Sequence, residues 1–203
     1  MKRLGILLSG RGSNFIAIAE AIRTHHLPGA EIVVVLSNHP DAAGLSIAKG
    51  MGLDAFAIPS AGRTRPEHDA EMMARLHQYR VDLVCLAGYM RILSAEFVRA
   101  FPNRILNIHP SLLPAFPGLD AQAQALEFGA KIAGCTVHFV DEAVDRGAIV
   151  VQRAVPVLDE DSPESLAARI LEQEHIAYPE AIARVLSGDF CISGRRYVRC
   201  GKA

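Results

Sequence analysis

What most constrains the fold is a repeated alternation: short, mostly apolar runs, each followed by a turn and a segment of helical periodicity. Leu4-Gly5-Ile6-Leu7-Leu8 is apolar on both faces, as a strand buried between two layers has to be. The turn Ser9-Gly10-Arg11-Gly12-Ser13-Asn14 leads into a helix from about Phe15 to Arg23. Glu31 to Leu36 reads as a second strand, followed by a turn at Asn38-His39-Pro40 and a helix reaching Lys49; Asp54 to Ile58 is a short third strand. After a polar loop, Ser60 to Arg65, the stretch Pro66 to Tyr79 is helical, with proline in its favoured first turn. Val81 to Leu86 is the fourth strand, and a helix from about Ser94 to Phe101 precedes a fifth, Ile105 to His109. Strands alternating with helices require right-handed crossovers. The expected fold class is therefore α/β, a doubly wound, mostly parallel, Rossmann-like sheet.

The second half breaks that rhythm. Leu112 to Leu119 is a proline-rich loop and Ala121 to Phe128 a helix. Thr136 to Val140 and Ile149 to Val155 are strands joined by the short loop Asp141 to Gly147, which predicts an antiparallel extension. Ser162-Pro163-Glu164-Ser165 offers an N-cap and a first-turn proline to a long helix reaching about Leu186, with Pro179 a candidate bend. Phe190 to Ile192 and Arg196 to Val198 flank Ser193-Gly194 as a terminal hairpin. With 203 residues and no linker or internal repeat, the expectation is one domain over 1–203, made of a phosphate-binding half, 1–110, and a second half, 111–203.

Charged residues make up 21% of the chain and the net charge is -1, so there is no electrostatic footprint for nucleic acid or a membrane surface. Small molecules are the expected partners. Cys85 and Cys135 sit in apolar runs, and neither they nor Cys191 and Cys200 show zinc-ligand spacing, which predicts reduced thiols in a cytoplasmic protein. Met1-Lys2-Arg3 has the charge of a secretory leader, but Leu4 to Leu8 is too short for its apolar core. No apolar run approaches the roughly 18 residues that span a bilayer.

Chemistry concentrates at Asn107-Ile108-His109-Pro110. Strand side chains alternate faces, so Asn107 and His109 point the same way. Pro110 cannot continue a central ladder, which puts His109 at the carboxyl end of its strand, the edge where open α/β sheets bind ligands. Asp145 lies in the loop after a later strand and is expected near His109, where a carboxylate would orient the imidazole and stabilise its charged form. An amide, an imidazole and a carboxylate together suit acyl transfer. Gly-x-Ser-x-Gly is absent, which favours direct attack by a substrate amine over a covalent acyl-enzyme. The bland reading is a polar strand end and a turn aspartate. A metal site of His109, His138 and Asp145 lacks a close ligand pair, and no metal is expected. His138 shares a strand face with Thr136 and Val140 and is a candidate supporting donor. His25, His26, His39, His68 and His77 read as solvated.

The first turn is glycine-rich and opens a helix, so Gly12, Ser13 and Asn14 could hold a phosphate, with Arg11 adding a cation. It is not a dinucleotide fingerprint: Phe15 stands where the third glycine belongs, and the second strand does not end in an acid.

Ser9 to Asn14, Ala87-Gly88-Tyr89-Met90-Arg91-Ile92-Leu93, Asn107 to Pro114, Val137 to Glu142 with Asp145-x-Gly147, and Gln173-Glu174-His175 occur in an order and spacing that resembles the phosphoribosylglycinamide formyltransferases of purine biosynthesis, over almost the full length. The resemblance implies transfer of a formyl group from 10-formyltetrahydrofolate, a co-substrate, to the amine of 5'-phosphoribosylglycinamide, without a metal. It implies Asn107, His109 and Asp145 as catalytic residues, and Gly12, Ser13, Asn14, Arg11, Pro110 and Glu174 toward the phosphorylated substrate. It assigns Arg65, Met90, Arg91, Ile92, Leu93, Asn107, Val140, Asp141 and Glu142 to the folate. A homodimer is compatible with the sequence, which does not fix the oligomeric state.

Three departures from the family pattern stand out. Leu171 occupies a position where relatives carry Gln or Lys against the phosphate, a contact Arg11 could replace; Ala143 and Ala148 stand where Gly and Pro are common. Competing readings are a formyltetrahydrofolate deformylase, a methionyl-tRNA formyltransferase and a non-catalytic folate- or nucleotide-binding module. Pro110 argues against the first, whose motif resembles Asn-x-His-His.

Overall fold

The structure, a computed structural model, describes residues 1–200 and divides into two compact units, Met1–Asn107 and Ile108–Ala203. The first unit follows the expected alternation. β1 (Lys2–Leu8), α1 (Ser13–Arg23), β2 (Ala30–Ser37), α2 (Ala43–Gly50), β3 (Ala55–Ala57), α3 (Arg65–Gln78), β4 (Leu83–Leu86) and α4 (Ala95–Ala100) succeed one another, and β5 (Ile105–His109) leads out of the unit. Its strands are all parallel in the order β3-β2-β1-β4-β5. Leu4, Ile6, Leu7 and Leu8 are fully buried, as their two-sided apolarity requires. The order reverses between β1 and β4, so the carboxyl ends of these two strands open the crevice where a doubly wound sheet receives ligands. Ser9 and Gly88 sit there, joined by a bond from Ser9 N to the Gly88 carbonyl at 3.0 Å.

The second unit contains α5 (Ala121–Phe128), β6 (Ile132–Phe139), β7 (Ile149–Pro156), α6 (Pro163–Ser187), β8 (Phe190–Ser193) and β9 (Arg196–Arg199). β6 and β7 are antiparallel, as are β8 and β9, and β9 lies alongside β7 in parallel. Ser162 caps α6 in a capping box with Ser165, and the helix buries Leu166, Ile170, Glu174, Ala177, Tyr178, Ala181 and Ile182, a stripe of helical period packed on β6 and β7. β6 begins four residues before the sequence expectation. Ile132 is 57% exposed and Gly134 carries no side chain, so the strand's first turn of alternation is invisible in the residues.

Thr136 is the polar hub of this unit. It is fully buried, donates to the Ser111 carbonyl at 2.7 Å, and accepts from Leu113 N and Gln152 Nε2, both at 3.0 Å. Gln152 Nε2 also reaches the Leu113 carbonyl at 2.9 Å. These bonds hold Ser111 to Leu113, the segment directly after His109-Pro110. Thr136→Val keeps the shape and strands two buried backbone groups, so we expect a loss of about 2–4 kcal/mol in urea unfolding. A loss under about 1 kcal/mol would mean the loop is held by other contacts.

Candidate active site

β5 ends at His109, and that residue is 95% buried (5% exposed) with its two ring nitrogens committed. Nε2 lies 2.8 Å from the Phe116 carbonyl, which can only accept, so Nε2 carries a proton. Nδ1 lies 3.5 Å from Asp145 Oδ2. The other carboxylate oxygen lies 3.6 Å from His138 Nε2, and His138 Nδ1 donates to its neighbour's carbonyl, Phe139 O, at 2.8 Å. Gly118 N donates to Asp145 Oδ2 at 3.0 Å. Asp145 thus faces two imidazoles whose far nitrogens already donate, and each ring can donate to the carboxylate only as imidazolium.

Burial pushes the Asp145 carboxyl up, but the His138 bond, the Gly118 N–H and the charges on His109 and His138 outweigh it and hold the group below the usual aspartate range. Asp145 adopts a left-handed backbone, φ 54°, unusual for a residue with a side chain. The loop that presents it closes tightly: a Cβ at Gly147 would collide with the Phe139 carbonyl. Asp141 Oδ1 accepts from Ala143 N at 2.9 Å at the loop's other end. With Gly118, Val144 and Arg146, Asp145 lines a cavity of about 510 Å³.

Asn107 precedes His109 by two residues on β5, half-buried, and pairs in register with Leu86. In the first unit, Gly12 starts α1 at φ 76°, and a Cβ there would come within 3.1 Å of Gly44 Cα, so both its conformation and its close approach to α2 call for glycine. Ser13 is the first helical residue and Asn14 is buried. The first turn of α1 holds no acid, which leaves its positive end for an anion. Arg11 is exposed beside it. Met90 N donates to Ser9 Oγ at 2.8 Å, so the Met90–Leu93 segment is tied to the same turn. Arg65 is exposed at the first position of α3, whose N-cap Thr64 forms a capping box with Glu67. In the second unit, Pro110 and Val140 are half-buried, Asp141 and Glu142 exposed, and Glu174 is buried on α6. Burial and then the Glu174 charge push the Cys135 thiol up to about 12, which places that carboxylate over β6.

His68 does not fit the solvated reading. It is fully buried, as is its neighbour Asp69, at 1% exposure. Both lie on α3 among Glu67, Glu71 and Arg75, so nothing in that polar stretch marks them as interior. Among the described residues, no group of three or more His, Cys, Asp or Glu is placed to hold a metal ion, and no helix is long and apolar enough to cross a membrane.

An imidazole held between a carbonyl and a carboxylate is equipment for moving a proton, and an asparagine two residues before it on the strand adds an amide, the groups that acyl transfer needs. Residues 2–182 match the family described as formyl transferase, and the chain belongs to that family. It is 50% identical over 194 residues to the trifunctional purine biosynthetic protein adenosine-3 of Drosophila melanogaster, covering 95% of this chain and 14% of that protein. It thus spans about one seventh of that relative. Against the phosphoribosylglycinamide formyltransferase of Escherichia coli (strain K12) it is 43% identical over 90% of this chain and 86% of the other. The crystal structure of glycinamide ribonucleotide transformylase 1 from Symbiobacterium toebii superposes with a TM-score of 0.95 at 52% identity, covering 98% of this chain and 94% of that one. A formyltetrahydrofolate deformylase from Pseudomonas syringae is more distant, at 26% identity and a TM-score of 0.91, covering 98% of this chain and 65% of that one.

The direction of the Asp145 shift fixes a pH dependence. A depressed folded-state pKa contributes stability that is complete above the ordinary aspartate value of about 3.9 and is lost as pH falls through the depressed value. Urea unfolding of the wild type and Asp145→Asn, run from about pH 6 to about pH 3, should show a stability gap that narrows toward the acid end. A gap that widens as the pH drops would contradict the geometry.

Proposed function

We propose that this chain transfers the formyl group of 10-formyltetrahydrofolate to the amine of 5'-phosphoribosylglycinamide. The observation that carries the reading is the end of β5: Asn107 and His109 two residues apart, with Asp145 on the His109 ring. Membership of the formyl transferase family supports it, as does likeness along almost the whole chain to a glycinamide ribonucleotide transformylase.

In this mechanism the neutral glycinamide amine attacks the formyl carbon, forming a C–N bond and a tetrahedral oxyanion. The Asn107 amide and the charged His109 ring donate to that oxyanion. Asp145, held ionised by its donors, accepts from His109 Nδ1 and orients the ring. His109 Nε2 faces away from Asp145, so it is the donor that turns to the formyl oxygen, which replaces the Phe116 carbonyl as acceptor. Collapse breaks the bond to the folate nitrogen, and the proton lost by the attacking amine passes to that nitrogen through water. Atoms and charge balance without a metal. In this reading Gly12, Ser13 and Asn14 at the start of α1, with Arg11, take the phosphate of the amine substrate, Glu174 takes its ribose hydroxyls, and Pro110 is a further substrate-binding residue. Arg65, the Met90–Leu93 backbone and Val140 to Glu142 hold the folate.

The test is tetrahydrofolate release from 10-formyltetrahydrofolate, followed by absorbance with and without phosphoribosylglycinamide. Release that requires the amine supports the transferase; release without it would make the chain a hydrolase like the deformylase, and no release would leave a binding module. His109→Ala and Asn107→Ala should each lower turnover by ~10²–10³ in a chain that still folds, with His109→Ala melting lower because it leaves the Phe116 carbonyl and Asp145 without their ring donor. Near-normal turnover in either would sink the assignment.

Arg11 carries a finer expectation. Arg11→Ala should raise KM for phosphoribosylglycinamide by about tenfold, the scale of one charge-assisted phosphate contact, and leave KM for the folate almost unchanged. Equal effects on both would remove Arg11 from the phosphate site.

A further inference from the structure

The buried pair His68 and Asp69 has no part in the chemistry at His109. Asp69 Oδ2 accepts from Ser94 N at 2.6 Å, a short bond to a charged acceptor. Its other oxygen lies 3.4 Å from His68 Nδ1, and His68 Nε2 lies 2.8 Å from the Ile58 carbonyl. That carbonyl can only accept, so Nε2 carries a proton and fixes the ring, with Nδ1 toward the carboxylate and able to donate to it only as imidazolium. α3 therefore grips two loops through one pair of side chains: the one after β3, by Ile58, and the one after β4, by Ser94.

Ser94 N is one end of the Met90–Leu93 segment. The other end is tied by Met90 N to Ser9 Oγ at 2.8 Å, and Ser9 Oγ donates to Asn38 Oδ1 at 2.6 Å. Leu93, between these anchors, and Tyr89, just before the first, are each 8% exposed, while Met90 and Ile92 are 71% and 55% exposed. The Tyr89 hydroxyl is buried, and after burial itself the Asp69 carboxylate is what pushes it up. A neutral side chain could accept one N–H at a smaller desolvation cost than a carboxylate. The charged acceptor gives a shorter and stronger bond, which suits a place where a loop must not shift.

We propose that Asp69 is a positioning residue for the folate co-substrate: its carboxylate, beside His68, fixes the Met90–Leu93 backbone in the conformation that receives the pterin. The inference rests on the reading above that this segment belongs to the folate site. Asp69 touches no reacting atom and acts through Ser94 N.

The experiment is steady-state kinetics for both substrates, with melting curves, on the wild type, Asp69→Ala and Asp69→Asn. Asp69→Ala should raise KM for 10-formyltetrahydrofolate by about tenfold or more, the scale of a small misplacement of a binding group. KM for phosphoribosylglycinamide and kcat at saturating folate should stay within about threefold. Asp69→Asn should restore most of the folate KM, because its amide oxygen accepts the same N–H. If Asp69→Ala does not fold, Ser94→Pro removes the donor from the other side, at a backbone φ of −71° that proline accepts, and should give the same selective rise in folate KM. An unshifted folate KM in a folded variant, or an equal rise for both substrates, would overturn the inference alone. A wild type that releases no tetrahydrofolate would overturn the functional reading and this inference with it.

Discussion

A half-buried carboxylate that faces two imidazoles sets the terms for the second unit. Asp145 is useful only while ionised, and burial alone would favour its neutral form. What keeps the charge is a set of donors that must all be placed at once: Gly118 N, the His109 ring and the His138 ring. Each ring is in turn fixed by a carbonyl on its far side, Phe116 O for His109 and Phe139 O for His138. The irregular register between Val137 and His138 on β6, the left-handed backbone at Asp145 and the contact of Gly147 with the Phe139 carbonyl all lie within this short stretch. Strain of that kind persists only where the surroundings over-determine it.

In the first unit the corresponding constraint is carried by backbone: Gly12 in a left-handed conformation opens α1, no acid occupies the helix's first turn, and Gly44 approaches closely enough to bond to the Gly10 carbonyl at 3.1 Å. Partial charges from aligned N–H groups serve a phosphate well because they need no desolvated ion of their own. Arg11, exposed beside this turn, adds a full charge where solvent already carries its cost.

Where the sequence was legible, period and chemistry agreed. The apolar runs of β1, β2, β4 and β5 and the cap at Ser162 could be read directly, and so could Asn107 and His109, because Pro110 stops the strand beside them. Asp145 was legible as a partner for His109 only through its place after a strand; that His138 shares its carboxylate was visible as a matter of strand face, not of contact. Other features left no local signal. The beginning of β6 is hidden by an exposed isoleucine and a glycine, and His68 and Asp69 sit in a helix whose mean polarity is that of a solvated one, with only Met72 and Leu76 to mark its inner face. A buried polar residue is recognised by what it bonds to, and its partners Ile58 and Ser94 lie 10 and 25 residues away from it in the chain.

That last difficulty reflects a general constraint on binding loops. Backbone groups in a strand or helix are satisfied by the element itself, whereas those of a loop need partners from elsewhere. Here the partners are single side chains on regular elements: Thr136 on β6 under Ser111 to Leu113, Asp69 on α3 and Ser9 beyond β1 at the two ends of Met90 to Leu93. Such a side chain must be polar, nearly inaccessible and of one particular reach, so an apolar residue of equal volume leaves unpaired N–H or C=O groups and not merely an altered core. The shape of such a loop is in that sense written in other elements than the loop, which is why Met90 and Ile92 can remain exposed while the backbone at either end of their segment is bonded to Ser9 and Asp69.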